Sequence, residues 1–171
     1  MNNKKLSEDL KQRAINLGLC SEWQKEWTTE DKDELCDMYV RGIDFCIVNN
    51  YPTTEYMKRN FEGVMQKHGI YVDEKVNIDR PKLRTYVING KSDAVLNLED
   101  FDLCEVYVRH NSSIKVCIKD SARVFVCLFD NAKAEVTTVG SLSRAVVYRY
   151  GNEVIVSQKG DNVKIRKGNM K

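Results

Sequence analysis

Arg109, Phe129 and Arg149 recur at twenty-residue intervals in the C-terminal half of the chain. A guanidinium attracts anions and hydrogen-bonds to them, and an aromatic ring beside it can stack on a planar group. If the chain returns to the same place every twenty residues, these three side chains form one column. The spacing then predicts a binding site for a small planar anion of the nucleotide type.

Other residues with chemical potential have simpler interpretations. The chain contains no phosphate-binding glycine loop, no nucleophile elbow and no His-Glu-x-x-His pattern, so the sequence predicts no catalytic set, no metal site and no cofactor. His68 is predicted to end a helix and His110 to open a turn. Asp73, Glu74 and Asp79 could line a cation site, but the basic residues among them favour a solvated loop.

The elements that must position the arginine and phenylalanine column repeat every ten residues from Phe101 to Lys159. Valine takes the sixth place of each decad, and apolar residues fall two positions to either side, which is the alternation of a strand with one inward face. The six valines are Val106, Val116, Val126, Val136, Val146 and Val156. Small polar residues between the strands predict tight turns, and the valines are expected to fill a shared interior.

Two architectures fit this period: a parallel β-solenoid with two decads per coil, and an antiparallel meander with a hairpin at each turn. The turn chemistry does not alternate, and short β-branched runs suit strands covered on a broad face, so the solenoid is favoured. We predict an α+β protein with a helical unit over 1–69, a junction of irregular strands over 70–100, the β-repeat array over 101–163 and a disordered basic tail over 164–171.

Apolar residues at helical spacing predict four short helices in the first part of the chain. Trp23 and Trp27 lie one helical turn apart and share a face, which either closes the core of the unit or anchors a partner. The six cysteines show no zinc-ligand spacing and are predicted to be buried, reduced thiols.

The outward positions of the array carry more apolar and aromatic side chains than a solvated face should. The helical unit, a second copy of the chain or a ligand could cover them. The predicted interface residues are Tyr107, Phe125, Phe129, Val147, Trp23 and Trp27.

Composition indicates a soluble globular protein. The chain has 171 residues, of which 42% are hydrophobic and 30% charged, with a net charge of +2. That balance provides a core and does not indicate a nucleic-acid binder. No apolar run is long enough for a membrane helix and no N-terminal signal pattern is present. We therefore expect a cytoplasmic protein without membrane or nucleic-acid partners.

The segments LGLCSEWQKEW (17–27), YVRGIDFCIVNNYPTTEYMKRNF (39–61) and HGIYVDE (68–74) resemble uncharacterised proteins of gut Bacteroidales and their phages. In those proteins a helical head precedes a tail of short β-repeats, to which Asp130–Val136 is similar. The array departs from such tails at Arg144, where an inward apolar residue is due. The resemblance implies an intracellular, phage-related or mobile-element origin and carries no functional residue across.

These features predict a non-enzymatic binding or assembly protein that associates with copies of itself. The end strands of a regular array need caps or recruit neighbours, and the outward apolar strip favours contact with a second copy. Two alternatives stay open. One is a protein that binds or sequesters a small nucleotide-type signal, and the other is an enzyme whose site no linear motif reveals.

Overall fold

The structure, a computed structural model, describes residues 2–169. The chain divides into two compact units, Met1–His68 and Gly69–Lys171, which we call the helical unit and the solenoid. Of the predicted tail, Met170 and Lys171 lie outside the described residues.

The helical unit has one more α-helix than the sequence predicts. Its elements are α1 (Asn3–Asn16), α2 (Ser21–Glu26), α3 (Lys32–Arg41), α4 (Ile43–Val48), α5 (Thr54–Phe61) and a 3-10 turn over Met65–His68. Asn2, Asp31 and Thr53 begin α1, α3 and α5, because each side chain accepts a hydrogen bond from an N–H of the first turn. Gly42 ends α3 and begins α4, and so divides what the pattern predicts as one longer helix.

The solenoid consists of two parallel sheets. Its strands are β1 (Ile70–Val72), β2 (Lys75–Asp79), β3 (Thr85–Asn89), β4 (Asp93–Leu98), β5 (Leu103–Val108), β6 (Ser113–Ile118), β7 (Arg123–Leu128), β8 (Lys133–Thr138), β9 (Arg144–Arg149), β10 (Ile155–Lys159) and β11 (Val163–Lys167). Sheet A has the order β1-β3-β5-β7-β9-β11 and sheet B the order β10-β8-β6-β4-β2. Each coil therefore gives one strand to each sheet. The predicted solenoid is confirmed, because every described strand pairing is parallel and a meander would be antiparallel.

The shared valine interior is only partly as predicted. Val106, Val116, Val126 and Val136 are buried in the core between the sheets, and Val156 is partly buried against it. Val146 is not part of that core. Its neighbours Ala145 and Val147 are the buried residues of β9.

An extra residue in the turn before β9 causes this shift. The register of β5 on β7 joins Leu103 to Arg123, twenty positions on, whereas the register of β7 on β9 joins Arg123 to Arg144. Because the side chains of a strand alternate between faces, one added residue exchanges the inward and outward sets. Arg144 consequently points outward and is exposed, so it does not replace an inward apolar residue.

The regular array is longer than predicted at both ends. The strands of the predicted junction already pair in register, since Asp93–Leu98 lies alongside Ser113–Ile118 over six residues. At the other end the expected disorder is wrong for Lys164–Lys167, which belong to the strand Val163–Lys167 that pairs with β9 as the last strand of sheet A. Backbone pairing with a preceding coil orders this polar segment even though its side chains are largely exposed.

The turns stack as regularly as the strands. Asp100, His110, Asp120 and Asp130 stand in the tenth place of their decads with φ between 51° and 57°. This left-handed conformation is one that Asp and His tolerate better than most residues. The N–H of Asp100 donates to Asp120 Oδ2 at 3.2 Å, and the N–H of His110 donates to Asp130 Oδ2 at 2.9 Å. Each carboxylate thus satisfies a backbone donor of the coil before it.

Candidate functional site

Phe129, the centre of the predicted anion column, lies within an aromatic stack on sheet A. Its ring is parallel to that of Tyr150, with centroids 4.5 Å apart and an interplanar angle of 10°. Tyr107 stacks on it from the preceding coil, at 6.4 Å and 12°. Offset parallel rings at these distances attract one another. The backbone of Gly168 closes the stack, because a Cβ at that position would collide with the Tyr150 ring.

The predicted column of Arg109, Phe129 and Arg149 is wrong in its third member. Hydrogen bonds between coils run from Phe129 N–H to the Val108 carbonyl and from Tyr150 N–H to the Leu128 carbonyl, so Tyr150 follows Phe129. Arg149 pairs with Leu128 instead. Its Nη2 donates to the Val154 carbonyl at 2.9 Å. The extra residue before β9 is again the reason.

Burial also changes what the column can do. Only 3% of Arg109 and 6% of Phe129 are exposed. The ring of Phe129 has an aromatic neighbour in the coil before it and another in the coil after it. A planar ligand therefore has no free face of this ring on which to stack. Whether the protein binds such a ligand elsewhere stays a prediction.

The predicted interface residues lie in different surroundings. The prediction is wrong for Val147, which is fully buried in the core of the solenoid, and for Phe129, of which only 6% is exposed, because neither side chain can contact a partner. Tyr107 is half-buried in the aromatic stack, and 37% of Phe125 is exposed on the outward side of β7. Trp23 and Trp27 lie on the wall of a cavity in the helical unit. The interface itself stays a prediction for these exposed and half-exposed residues.

Phe125 belongs to a basic cleft on sheet A that the sequence alone did not reveal. The cleft, with a volume of about 350 Å³, lies across β7, β9 and β11. Register places Arg123 beside Arg144, Phe125 beside Val146 and Val146 beside Lys164. We call this the basic cleft and define it by Arg123, Phe125, Arg144, Val146, Asp161 and Lys164.

The charges of the basic cleft are unbalanced. Asp161 is the one carboxylate among its lining residues, against three cations. Among residues 2–169, no ion pair reaches Arg123, Arg144 or Lys164. Arg144 Nη1 donates to the carbonyls of Ser141 and Ser143 at 2.6 and 2.8 Å, which fixes its position. Like charges opposite one another on a sheet repel, so an anion between them would be stabilising.

The sequence does contain a sign of the register that forms this cleft, namely the position of a small residue before each strand. In four of the decads before β9 the second place holds a small residue that is fully buried, namely Ser92, Ser112, Ala122 and Ala132. In the next sheet A decad Leu142 stands in that place, while the small residue that is buried there is Ser143. Recognising the displaced small residue would have aligned Arg144 with Arg123.

The cavity of the helical unit has a volume of about 390 Å³, and most of its lining residues are apolar. Leu10 and Ala14 of α1, Leu35 and Cys36 of α3 and Met57 of α5 line it and are buried. Burial, with smaller contributions from the charges of Asp33 and Asp37, raises the pKa of the Cys36 thiol to about 12. That thiol is therefore neutral at physiological pH.

His68 joins the 3-10 turn of the helical unit to α3. Its Nε2 lies 2.9 Å from Asp33 Oδ1 and its Nδ1 lies 2.6 Å from Asp37 Oδ1. Burial opposes the imidazolium charge, but the two carboxylates outweigh it and raise the pKa of His68. A ring held at both nitrogens by carboxylates is a structural clamp and has no nitrogen free to act as a base.

Residues 2–169 contain no group of three or more His, Cys, Asp or Glu side chains arranged to hold a metal ion. None of the helices within that range is long and apolar enough to cross a membrane.

Comparison of the chain with protein-family models, with curated proteins and with solved structures found no significant match.

Proposed function

We propose that this protein is a non-enzymatic binding protein and that the basic cleft of its solenoid holds a small planar anion. The observation that carries the proposal is the exposed Phe125 ring between arginines and a lysine that no acidic side chain pairs. An aromatic ring offers a stacking face, and the cations offer hydrogen bonds to phosphate or carboxylate oxygens.

The lining residues favour binding over chemistry. The basic cleft has Asp161 as its one carboxylate, and neither a histidine nor a cysteine is among its lining residues. A nucleophile with its base, the minimum for acyl or phosphoryl transfer, is absent from the lining. The cations and the ring are side chains of neighbouring parallel strands, so a ligand would meet a rigid, preorganised surface.

Calorimetric titration with ADP tests the proposal. We expect saturable binding by the wild-type protein, with weaker binding of inorganic phosphate and of adenosine, since each supplies only one part of the recognition. Arg123→Gln should weaken ADP binding by roughly tenfold, the effect of losing one charge-assisted hydrogen bond. Phe125→Ala should weaken ADP and adenosine binding but leave phosphate binding unchanged.

Matched controls exist on the opposite sheet. Lys133→Gln removes a cation from the same decad position as Arg123, and Val95→Ala truncates an exposed apolar residue at the position of Phe125. Both control variants should bind ADP like the wild type. No saturable ADP binding, or equal losses in the Arg123 and Lys133 variants, would overturn the proposal.

Self-association is a second candidate, which the solenoid corner between sheets B and A favours. Phe101 is 86% exposed and Leu142 is 61% exposed. Leu103, Arg123 and Arg144 begin neighbouring strands and lie side by side. Phe101 and Leu142 each come two residues before their strand, and Ser121 takes the same place in the coil between them. Large apolar side chains repeated at one corner mark a contact surface, and a second copy presents the same corner.

The C-terminal end of the solenoid is a poorer surface for association. Gln158 and Lys167 stand in columns that Val136 and Leu128 occupy in earlier coils, so the last coil ends the apolar interior with polar groups. Its edge strands also carry Lys159 and other basic residues. Lysines on an edge strand oppose pairing with another chain. Stacking of two C-terminal ends would bring these charges together.

Sedimentation velocity of the wild type and of a Phe101→Ser, Leu142→Ser double variant tests the assembly. We expect reversible association of the wild type and a monomeric double variant. Val95→Ser, which removes an exposed apolar side chain from the middle of a strand of sheet B, away from this corner, serves as the control and should associate like the wild type. A strictly monomeric wild type at micromolar concentration would eliminate this candidate without affecting the ADP result.

A further inference from the structure

The cavity of the helical unit is lined by residues of that unit and shares no lining residue with the basic cleft. All its lining residues lie between Leu10 and Phe61, on all five α-helices and the segments between them. Its volume of about 390 Å³ lies within the range typical of small-molecule sites, roughly 300–1,000 Å³. An apolar cavity of about 150 Å³ in another protein already admits benzene, so the size here fits a larger molecule.

The polar side chains that line the buried part of the cavity are hydrogen-bonded to the protein or uncharged. The hydroxyl of Tyr51 donates to the Leu10 carbonyl at 2.6 Å, and burial raises the pKa of that phenol, which stays protonated. Cys36 is a neutral thiol. The indole N–H of Trp27 donates to Ser7 Oγ at 3.0 Å. None of these three groups presents a charge to an occupant.

Charged residues line only the exposed part of the cavity. Arg41 and Asp44 are exposed, and the Arg41 guanidinium lies over the Trp23 ring at 5.3 Å while pairing with Glu26 at 3.9 Å. The buried walls are formed by residues such as Ala14 and Phe61. Water needs two to four polar partners to be held in a cavity, and these walls do not provide them.

We propose that the helical unit binds a neutral, apolar small molecule, of the size of a medium-chain alcohol or a two-ring aromatic, in the cavity walled by Trp23, Trp27 and Leu35. Transfer of such a molecule from water to an apolar wall is favourable in proportion to the area it buries. The absence of an inward charge excludes anions and cations, which would lose their hydration without a partner. This site therefore takes a different chemical class from the basic cleft.

Tryptophan fluorescence reads occupancy directly, because the two tryptophans of the chain both line the cavity. Bromo-octanol is a suitable probe, since its heavy atom quenches an indole only on contact. For the full-length protein we expect quenching that saturates with concentration and that unbrominated octanol reverses by competition. Quenching that rises linearly, without saturation, would overturn the proposal.

Variants that fill the cavity locate the site. Ala14→Leu on α1 and Cys36→Leu on α3 add side-chain volume at buried positions that line the cavity. Each should lose the saturable component of quenching while its unfolding temperature stays the same or rises, as for other cavity-filling changes. Glu8→Leu makes a comparable addition on the exposed side of α1 and should keep the saturable component.

Methyl NMR of the wild type gives a readout that does not depend on how the variants fold. Octanol should shift the methyl signals of Leu10, Leu35 and Met57, which line the cavity, and leave those of the solenoid core unchanged. Undiminished saturable quenching in both folded filling variants, or methyl shifts confined to the solenoid, would contradict the assignment.

Discussion

Sheets A and B enclose the same interior but have different outward faces. On sheet B the outward side chains pair with each other across coils: Lys115 Nζ lies 3.7 Å from Glu135 Oε2, and Asn97 Nδ2 donates to Asp79 Oδ1 at 2.6 Å. On sheet A the outward positions hold the aromatic ring of Phe125 and cations that form no ion pair within residues 2–169, such as Arg123 and Arg144. Sheet B is thus a solvated surface, and sheet A carries the candidate binding features.

The ninth decad position shows the same contrast. On sheet A, Arg109 and Phe129 are almost completely buried at this position. On sheet B, Lys119 and Val139 occupy it and are exposed, Val139 to 48%. The inward alternation is common to both sheets, because both must fill one core. Only the outward residues are free to diverge, so differences between the two faces indicate where function lies.

The largest expected effect is a difference in the free energy of unfolding between variants of Phe129 on sheet A and of Val139 on sheet B. Phe129→Ala should lower the free energy of unfolding by about 3 kcal/mol, because it removes a buried ring from a stack and leaves a cavity. Val139→Ala on sheet B should change that free energy by less than about 0.5 kcal/mol, since the side chain is exposed. Urea unfolding followed by circular dichroism measures both.

An equal loss for the two variants would break the comparison. Phe129→Leu serves as the control within sheet A, because it keeps most of the apolar volume but not the stacking. It should fall between the wild type and the alanine variant.

A smaller and equal effect is expected at the turns, where the two sides of the array do not differ. Asp130 follows a strand of sheet A and Asp120 follows a strand of sheet B, and we consider the replacement of each by alanine. Each change removes an acceptor of a backbone N–H and places alanine at positive φ. Each should cost about 1–2 kcal/mol of unfolding free energy. A clear inequality between the two would mean that the turns, too, are specialised by face.

The smallest effect should come from the charged surface of sheet B. Lys115→Ala breaks the ion pair with Glu135, whose members are both largely exposed. We expect a loss below about 0.5 kcal/mol, and less in high salt, because exposed pairs are weak and screened. Unfolding curves at low and high ionic strength measure it. A loss as large as that of Phe129→Ala would refute the view that sheet B is merely solvated.

The sequence predicts the solenoid well where its period is strict. Val106, Val116, Val126 and Val136 are buried as expected, because strand alternation and a ten-residue period fix both the face and the coil of each residue. The prediction fails after Gly140, where one additional residue moves Val147 into the core and Arg144 to the surface. A single inserted residue exchanges the inward and outward side chains of the strand that follows it, and a period read from earlier repeats contains no information about the insertion.

The candidate sites were less predictable than the fold. The sequence places Phe125 on the outward face. Its neighbours Arg144 and Lys164 depend on strand registers that are not the regular twenty residues. The tryptophans were recognised as a shared helix face, whereas the cavity beside them is formed by residues from all five α-helices. Helical periodicity identifies the apolar side of each helix and does not give the space left between several of them.

By itself the sequence determined that the C-terminal part of this protein is a β-repeat array, because turn residues and alternating apolar residues recur every ten residues. The uniform turns favoured parallel coils over an antiparallel meander, and the strand pairings of the structure decided between the two. Tertiary structure alone decided which outward residues meet. Contacts across coils depend on the length of every intervening turn, and contacts across helices depend on packing angles. Neither quantity is a local property of the residues that finally touch, such as Arg123 and Arg144.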